Sequence, residues 1–114
     1  MTTPGGRPDT QLTIVTMAFD AQDADESAAE ELMAVLSSYV VVSRTHPGCR
    51  NIDLCGSVLS PGRYLVIEKW DSPAAQQAHF DSDDMVTMAR SCAGLLTRRP
   101  DIDLLEGISA HDLW

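Results

Sequence analysis

The sequence predicts one α+β domain built on a four-stranded antiparallel sheet, and three observations lead to this prediction. The chain has 114 residues, 44% of them hydrophobic, which suits a single packed domain. Segments typical of strands and helices follow one another in the order strand, helix, strand, strand, helix, strand. Two of the strands are largely apolar on both faces. This order, βαββαβ, is the split pattern of ferredoxin-like folds.

The first strand and the first helix are predicted in the first 45 residues. The run LTIVTMAF, residues 12–19, is apolar and β-branched and has the length of a strand. Ser27 followed by Glu30 fits a capping box at a helix start. An apolar stripe at helical spacing follows, and the helix is expected to end near Arg44 and Thr45. The stripe consists of Leu32, Met33, Leu36, Tyr39 and Val40.

A hairpin is predicted next. His46-Pro47-Gly48 breaks the helix, because a proline disfavours helical backbone in the residue before it. The segment CRNIDLCG, residues 49–56, then places Ile52 and Leu54 on one strand face. Ser60-Pro61-Gly62 has proline and glycine where a type II turn needs them. We therefore expect the strand to fold back against RYLVIEKW, which ends at Trp70.

The second half of the chain repeats the helix and strand pattern. Ser72-Pro73 supplies an N-cap and a proline at the first helical position, which predicts a short helix through Phe80. Ser82 and Asp83 can cap its continuation, which is expected to end before Arg99. The apolar stripe of that helix consists of Met85, Met88, Ala89, Cys92, Leu95 and Leu96, and core packing is the expected role of its methionines.

The last predicted strand is IDLLEGI, residues 102–108. The predicted domain therefore spans residues 12–110. Residues 1–11, which are rich in proline and glycine but hold no apolar core segment, are interpreted as a flexible N-terminal arm. Residues 111–114 are interpreted as a C-terminal tail.

The charge of the chain argues against two classes of partner. Seventeen acidic and eight basic residues give a formal net charge of −9, which repels phosphate backbones and anionic lipid surfaces. No run approaches the roughly 20 apolar residues of a membrane-spanning helix. The expectation is a cytoplasmic protein that binds neither nucleic acid nor membrane.

The cysteines point neither to a disulfide framework nor to a metal centre. Cys49, Cys55 and Cys92 are odd in number and form no CxxC pair, so buried free thiols are expected. His46 lies close in sequence to two of them, but no fourth ligand has a suitable spacing. No metal, flavin or haem is predicted.

The alternation of the central strands predicts a homodimer. Two helices can cover only one face of a four-stranded sheet, so a second apolar face needs another cover. A two-fold partner would provide it. The third strand places Tyr64, Val66, Glu68 and Trp70 on one face and Leu65, Ile67 and Lys69 on the other.

Several short motifs resemble the antibiotic biosynthesis monooxygenase family. They are HPGC at residues 46–49, NIDL at 51–54, PGR at 61–63 and EKWDSPAAQQAHF at 68–80. The resemblance covers roughly residues 12–108. It implies a dimeric α/β barrel, in which the sheets of two subunits pack face to face.

The resemblance also implies a range of activities, because the family includes cofactor-independent oxygenases of polyketide anthrones, quinol oxidases, haem-degrading enzymes and members without a known activity. The interpretation is a cofactor-independent monooxygenase or quinol-type oxidase that acts on a small aromatic or polyketide-like substrate with molecular oxygen. Such a site needs a proton acceptor, an apolar cage and a group that stabilises an anion. The alternative is a non-catalytic dimeric barrel that binds a ligand or serves in a stress response.

Four residues are the candidate catalytic residues. By the resemblance, Trp70 is an aromatic wall of the substrate pocket and Arg90 is a cation that stabilises an oxyanion; ordinary core packing and a solvated helix surface are the alternatives. His79 is a candidate proton acceptor near neutral pH, or a hydrogen-bonded structural histidine. Glu68 is a candidate base if partly buried. Trp70 and Arg90 are expected to line one enclosed cavity, with His79 near its edge.

The sequence departs from the active members of the family at three positions. Val66 and Gln76 stand where the polyketide-oxidising members have an asparagine and a tyrosine, so substrate identity does not transfer. Ala89 lies in the helical segment that carries the iron-binding histidine of the haem-degrading members. Haem degradation is therefore not expected.

Overall fold

A computed structural model describes residues 12–22 and 26–110 of the chain. The predicted arm, residues 1–11, and the predicted tail, residues 111–114, lie outside the described residues. The elements are β1 (Thr13–Asp20), α1 (Glu26–Ser43), β2 (Cys49–Gly56), β3 (Arg63–Trp70), α2 (Pro73–Phe80), α3 (Asp83–Cys92) and β4 (Asp101–Glu106).

The four strands form one sheet in the order β2-β3-β1-β4, and every neighbouring pair is antiparallel. The predicted ferredoxin-like α+β fold is confirmed. The two central strands are the ones that the sequence makes apolar on both faces. On β1, the burial alternates strictly, with Val15, Met17 and Phe19 buried on the side of the helices.

The hydrophobic core lies between the helices and one face of the sheet. α1 contributes the fully buried Leu32 and Leu36, and α3 contributes Met88 and Cys92. The predicted stripe of α1 holds except at Met33, which is 47% exposed. The predicted Ser27 cap lies inside the helix instead, because the described helix begins at Glu26.

The second helical region differs from the prediction at its end. Helix α3 stops at Cys92, and Gly94, with φ of +84°, turns the chain away. Leu95 and Leu96 therefore lie beyond the helix, and Leu96 forms an isolated bridge with Ala21. The predicted caps Ser72 and Ser82 are confirmed.

Two positive-φ glycines make the predicted turns. Gly62 has φ of +88° in the β2–β3 hairpin, and the N–H of Arg63 donates to the carbonyl of Ser60, as a type II turn requires. Gly48 has φ of +82°, and a Cβ at this position would lie 2.4 Å from the Cβ of Ala75 on α2. Only glycine allows the loop before β2 to approach α2 this closely.

The other face of the sheet has no helix on it. Strand register places Ile14 and Ala18 of β1 on this face together with Leu65 and Ile67 of β3 and Leu105 of β4. Leu65 is 36% exposed and Leu105 is 40% exposed. The same register also places polar residues on this face, namely Thr16, Asn51, Asp53, Lys69, Asp101 and Asp103. The expected second apolar face is therefore met on the two central strands, while both edge strands add acidic side chains to it.

Each helix in the described ranges is too short or too polar to cross a bilayer.

Candidate functional site

A cavity of about 500 Å³ opens between α3 and the β1–β4 side of the sheet. Its lining is almost entirely apolar, which suits a small hydrophobic or aromatic ligand. Apart from the thiol of Cys92, the ionisable groups that line it are two arginines. The apolar lining includes Met17, Phe19, Phe80, Met85, Met88, Ala89, Leu96 and Ile102.

Arg98 and Arg99 stand at the mouth of this cavity. Arg98 binds the carboxylate of Asp20, with its Nε 3.1 Å from Oδ2. Arg63 also binds this carboxylate, with Nη1 2.9 Å from both oxygens. Arg99 makes no hydrogen bond or ion pair with another residue in the part of the chain that the structure describes. Among the described residues, two guanidinium groups therefore share one carboxylate while the Arg99 guanidinium has no partner, so the net charge of these four groups is positive.

The end of β1 holds the segment that carries these arginines. The N–H of Thr97 donates to the carbonyl of Asp20 at 2.9 Å, and the Thr97 hydroxyl donates to the carbonyl of Ala21 at 2.9 Å. The N–H of Gln22 donates to the carbonyl of Leu95 at 2.8 Å. These bonds hold the segment that carries Arg98 and Arg99 against the end of β1, so the sheet positions both arginines at the cavity.

A second group of polar side chains is buried between the sheet and helices α1 and α2. Glu68, on the helix side of β3, is 1% exposed. Its Oε1 accepts a hydrogen bond from Trp70 Nε1 at 3.0 Å, and its Oε2 accepts one from the Tyr39 hydroxyl at 2.5 Å. A carboxylate removed from water is stabilised by such donors.

The polar group continues from Tyr39 to the protein surface. The Tyr39 hydroxyl lies 2.6 Å from His79 Nε2, and His79 Nδ1 lies 2.8 Å from His46 Nδ1. His46 Nε2 then lies 2.7 Å from Asp84 Oδ2, whose carboxylate is partly exposed. We call the continuous series Glu68, Tyr39, His79, His46 and Asp84 the polar chain.

Local features of the sequence bring the two histidines together. Gly48 lets the loop of His46 lie against Ala75, and the N–H of Asp71 donates to the carbonyl of Gly48 at 2.8 Å. Trp70 fixes the other ring, because its indole stacks on His79 with centroids 4.6 Å apart. Both histidines also line a surface cavity of about 430 Å³.

Burial changes the acidity of the groups around Glu68. Burial, and then the nearby Glu68 carboxylate, raise the pKa of Tyr39 far above its usual value. Burial, followed by the charge of Glu68, raises the pKa of the Cys49 thiol as well. Tyr39 therefore keeps its proton, so it can pass a proton only by receiving another.

The structure brings together three of the four predicted catalytic residues. Trp70, Glu68 and His79 are in direct contact, and His79 Nε2 lies 3.7 Å from Glu68 Oε2. Arg90 is exposed on α3, two positions after the buried Met88 and thus on the opposite side of the helix. None of the four lines the 500 Å³ cavity. The prediction that Trp70 and Arg90 share an enclosed cavity is wrong.

Sequence reasoning missed the remaining members of both groups. Tyr39 was assigned only to the apolar stripe of α1, although a buried tyrosine needs a partner for its hydroxyl. Sequence reasoning places His46 at the helix break and weighs it as a metal ligand, and it does not consider Asp84 or Arg98. Arg99 marks only the end of a helix there, although two adjacent cations after an apolar stripe are an available signal.

The structure tests the prediction for the free thiols. Cys92 is buried and Cys49 is half-buried, but Cys55 is exposed, so the expectation of three buried thiols is wrong for Cys55. It lies opposite Leu65 on the helix-free face, where no helix covers it. Among the described residues, no group of three or more histidine, cysteine or acidic side chains has the geometry of a metal site.

The comparison with protein families decides the membership of the chain. The family model of the antibiotic biosynthesis monooxygenases matches residues 15–91, which is more than half of the sequence. The chain belongs to the antibiotic biosynthesis monooxygenase family. No curated protein matches it in sequence. The predicted family is confirmed.

Solved structures confirm the fold of this monooxygenase-family chain. Rv0793 from Mycobacterium tuberculosis is 24% identical, with a TM-score of 0.80 over 90% of this chain and 100% of its own. Protein SO0527 from Shewanella oneidensis is 21% identical, with a TM-score of 0.76 over 87% and 93%. A conserved protein from Methanosarcina mazei Go1 is 14% identical, with a TM-score of 0.78 over 86% and 94%.

Proposed function

We propose that this protein is a cofactor-independent monooxygenase or quinol-type oxidase that acts on a small aromatic or polyketide-like substrate with molecular oxygen. The observation that carries the proposal is the apolar cavity of about 500 Å³ with arginines at its mouth. Such a cavity encloses an aromatic ring, and the guanidinium groups favour its anionic form. Membership in the antibiotic biosynthesis monooxygenase family supports the same reaction class.

The cavity favours phenols and quinols among these substrates. Its ionisable lining groups are Arg98, Arg99 and Cys92, and burial raises the pKa of the Cys92 thiol, which makes it a poor base at neutral pH. The substrate must therefore release its proton readily. The arginines assist by stabilising the phenolate, which is electron-rich enough to reduce oxygen. A quinol would yield a quinone and hydrogen peroxide, whereas monooxygenation of an anthrone methylene would yield a ketone and water.

A second candidate function is ligand binding without catalysis. The observation that favours it is that Glu68, Trp70 and His79 are occupied with one another and none of them lines the cavity. In this case the cavity would bind an aromatic anion without consuming oxygen.

Oxygen uptake and ligand binding, measured together, distinguish the two functions. A panel of hydroquinones and anthrones is tested with an oxygen electrode and by fluorescence titration in the same buffer. Ala89→Trp should fill the cavity and abolish uptake and binding, while Glu31→Trp, at an exposed position of α1, serves as the control. Oxygen uptake blocked by Ala89→Trp supports the oxidase. Binding without uptake supports the ligand-binding protein.

We also propose that the active form is a homodimer in which two helix-free faces pack together. The support is the apolar side chains that this otherwise mixed face carries, namely Ile14, Ala18, Leu65, Ile67 and Leu105. An uncovered patch of this kind is costly in water, and an identical patch on a second copy matches it through a two-fold axis. Since the 500 Å³ cavity opens on the helix side, it would stay accessible in this dimer.

A further inference from the structure

The polar chain has the geometry of a proton path. Its four consecutive contacts measure 2.5 Å, 2.6 Å, 2.8 Å and 2.7 Å from Glu68 to Asp84. Each is short enough for a hydrogen bond, and each side chain between the two carboxylates can both donate and accept. We propose that Glu68 and His46 exchange one proton through Tyr39 and His79, so that a buried carboxyl group communicates with the protein surface.

One complete pattern of hydrogen bonds has Glu68 as a carboxylate. Tyr39 then donates to Glu68 Oε2, and His79 Nε2–H donates to the Tyr39 oxygen. His79 Nδ1 has no proton and accepts from His46 Nδ1–H. His46 Nε2–H donates to Asp84, which makes His46 an imidazolium. In this pattern every N–H and O–H of the polar chain donates, and the one unprotonated ring nitrogen accepts.

A second complete pattern has Glu68 as a neutral acid. Glu68 Oε2–H donates to the Tyr39 oxygen, and Tyr39 O–H donates to His79 Nε2. His79 Nδ1–H then donates to His46 Nδ1, and neutral His46 still donates from Nε2 to Asp84. The Trp70 indole donates to Glu68 Oε1 in both patterns.

Three proton transfers convert the first pattern into the second. The Nδ1 proton of His46 moves to His79 Nδ1, the Nε2 proton of His79 moves to the Tyr39 oxygen, and the Tyr39 proton moves to Glu68. Three hydrogen bonds reverse direction, no heavy atom has to change its partner, and the total charge stays the same. Because the pKa of Tyr39 is strongly raised, the tyrosine gives up its proton only as it takes another.

The titratable groups that face Glu68 and His46 come from several elements of the fold. Glu68 is faced by Tyr39 from α1, His79 from α2 and Cys49 from β2, with no arginine or lysine bonded to it within the described ranges. His46 is faced by the Asp84 carboxylate from α3. A carboxyl group therefore stands at each end of the polar chain.

The surface end of the chain is accessible to protons. His46 and His79 line the 430 Å³ cavity together with Asp71 and Ser72. A proton bound there from water or from a buffer acid can reach Glu68, which is itself excluded from solvent. The proton exchange between Glu68 and His46 goes beyond the proposed oxidase function, because the polar chain is separate from the lining of the 500 Å³ cavity.

Nitrogen-15 NMR of the histidine rings tests the proposal through the tautomer of His79. In the wild type, at a pH where the infrared carboxyl band shows that Glu68 is a carboxylate, the first pattern requires the Nε2–H tautomer of His79. Glu68→Gln presents an amide N–H to Tyr39, and Tyr39 then donates to His79, which requires the Nδ1–H tautomer. The same tautomer in both proteins would overturn the proposal, because the direction of the hydrogen bond at Glu68 would then not determine the direction of the one at His79.

A titration of the wild-type protein tests the exchange without relying on a buried variant. The infrared carboxyl band of Glu68, identified by its loss in Glu68→Gln, and the NMR signals of His46 should change over one common pH range. Tyr39→Phe should separate the two changes. Tyr64→Phe removes a hydroxyl whose one hydrogen bond within the described residues goes to the carbonyl of Ala29, and this variant should leave the two changes together. Independent titration of Glu68 and His46 in the wild type would contradict the proposal.

Discussion

The Nδ1 atoms of His46 and His79 lie 2.8 Å apart. A single proton occupies this contact, so one ring donates and the other accepts. The rings come from a loop and a helix that are distant in sequence, and Gly48 is the residue that lets the loop approach α2. The contact between the two histidines therefore depends on a residue that bears no functional group.

Gly48→Ala should destabilise the fold by at least about 2 kcal/mol, because it combines an unfavourable positive φ with a Cβ that clashes with Ala75. Gly94→Ala is the matched control. Gly94 has almost the same φ, +84°, but nothing within 4 Å of an added Cβ, so the expected loss is about 1 kcal/mol. Urea unfolding measures both. Equal losses would show that the contact with Ala75 carries no cost.

Tyr39→Phe should lower the free energy of unfolding by about 1–3 kcal/mol, because it leaves the buried Glu68 without one of its donors. Tyr64→Phe is the control, since that hydroxyl is only partly buried and, in the part of the chain that the structure describes, makes one hydrogen bond, to the carbonyl of Ala29. Its expected loss is at most about 1 kcal/mol. Urea denaturation at neutral pH provides the comparison. A larger loss of unfolding free energy in Tyr64→Phe would contradict the expectation that the hydrogen bond from Tyr39 to Glu68 stabilises the fold more than the bond from Tyr64 to Ala29.

Stability should decrease as the pH rises above about 9. The pKa values of Tyr39, Cys49 and Cys92 are raised in the folded chain, so the folded state holds these protons more tightly than the unfolded state. Their contribution is complete at neutral pH and is lost as the unfolded chain ionises. Above pH 10, Tyr39 alone should add a slope of up to about 1.4 kcal/mol per pH unit.

Denaturation of the wild type and of Tyr39→Phe at several alkaline pH values checks this expectation. The variant should show the smaller slope above pH 10. A slope unchanged by the substitution would mean that Tyr39 is not protected from ionisation.

Arg99→Met should lower kcat/KM for a turned-over quinol by about tenfold, or ~1.4 kcal/mol, because it removes from the mouth of the cavity a cation that has no ion-pair partner in the described ranges. The sequence resemblance assigned that effect to Arg90, which is exposed on the other side of α3. Comparing Arg99→Met with Arg90→Met therefore tests, with the same chemical change, which arginine stabilises the substrate anion. Steady-state oxygen uptake measures kcat/KM for both variants, and a larger loss of kcat/KM in Arg90→Met would favour Arg90.

Leu65→Asp should convert the proposed dimer into a monomer, because it places a charge in the centre of the helix-free face. Val41→Asp is the control, as Val41 is 63% exposed on α1 and lies on the helix side. Sedimentation equilibrium at micromolar concentration gives the mass of each variant. A wild type that sediments as a monomer would refute the dimer.

The sequence was sufficient for the features that depend on local periodicity and turn chemistry. The alternation along β1, the turn at Gly62 and the caps Ser72 and Ser82 all follow from residues close to one another in the chain. The end of α3 was misjudged because Leu95 and Leu96 continue the helical spacing, although Gly94 turns the backbone away.

The candidate site was less accessible to sequence reasoning, because its contacts join distant segments. Glu68 and Tyr39 are 29 positions apart, and His46 and His79 are 33 apart. No spacing rule relates such pairs. Arg90 shows the limit of a resemblance, since two positions along a helix are enough to turn a side chain from the core to the solvent.

Because of its position, Cys55 allows the association of this protein to be measured with a thiol reagent. Its thiol is exposed on the helix-free face beside Leu65, whereas Cys92 is buried in the core. If two copies cover this face, a thiol reagent should label Cys55 more slowly as the protein concentration increases. Labelling of Cys92 should instead require unfolding, so the wild-type chain carries one natural probe for association and another for folding.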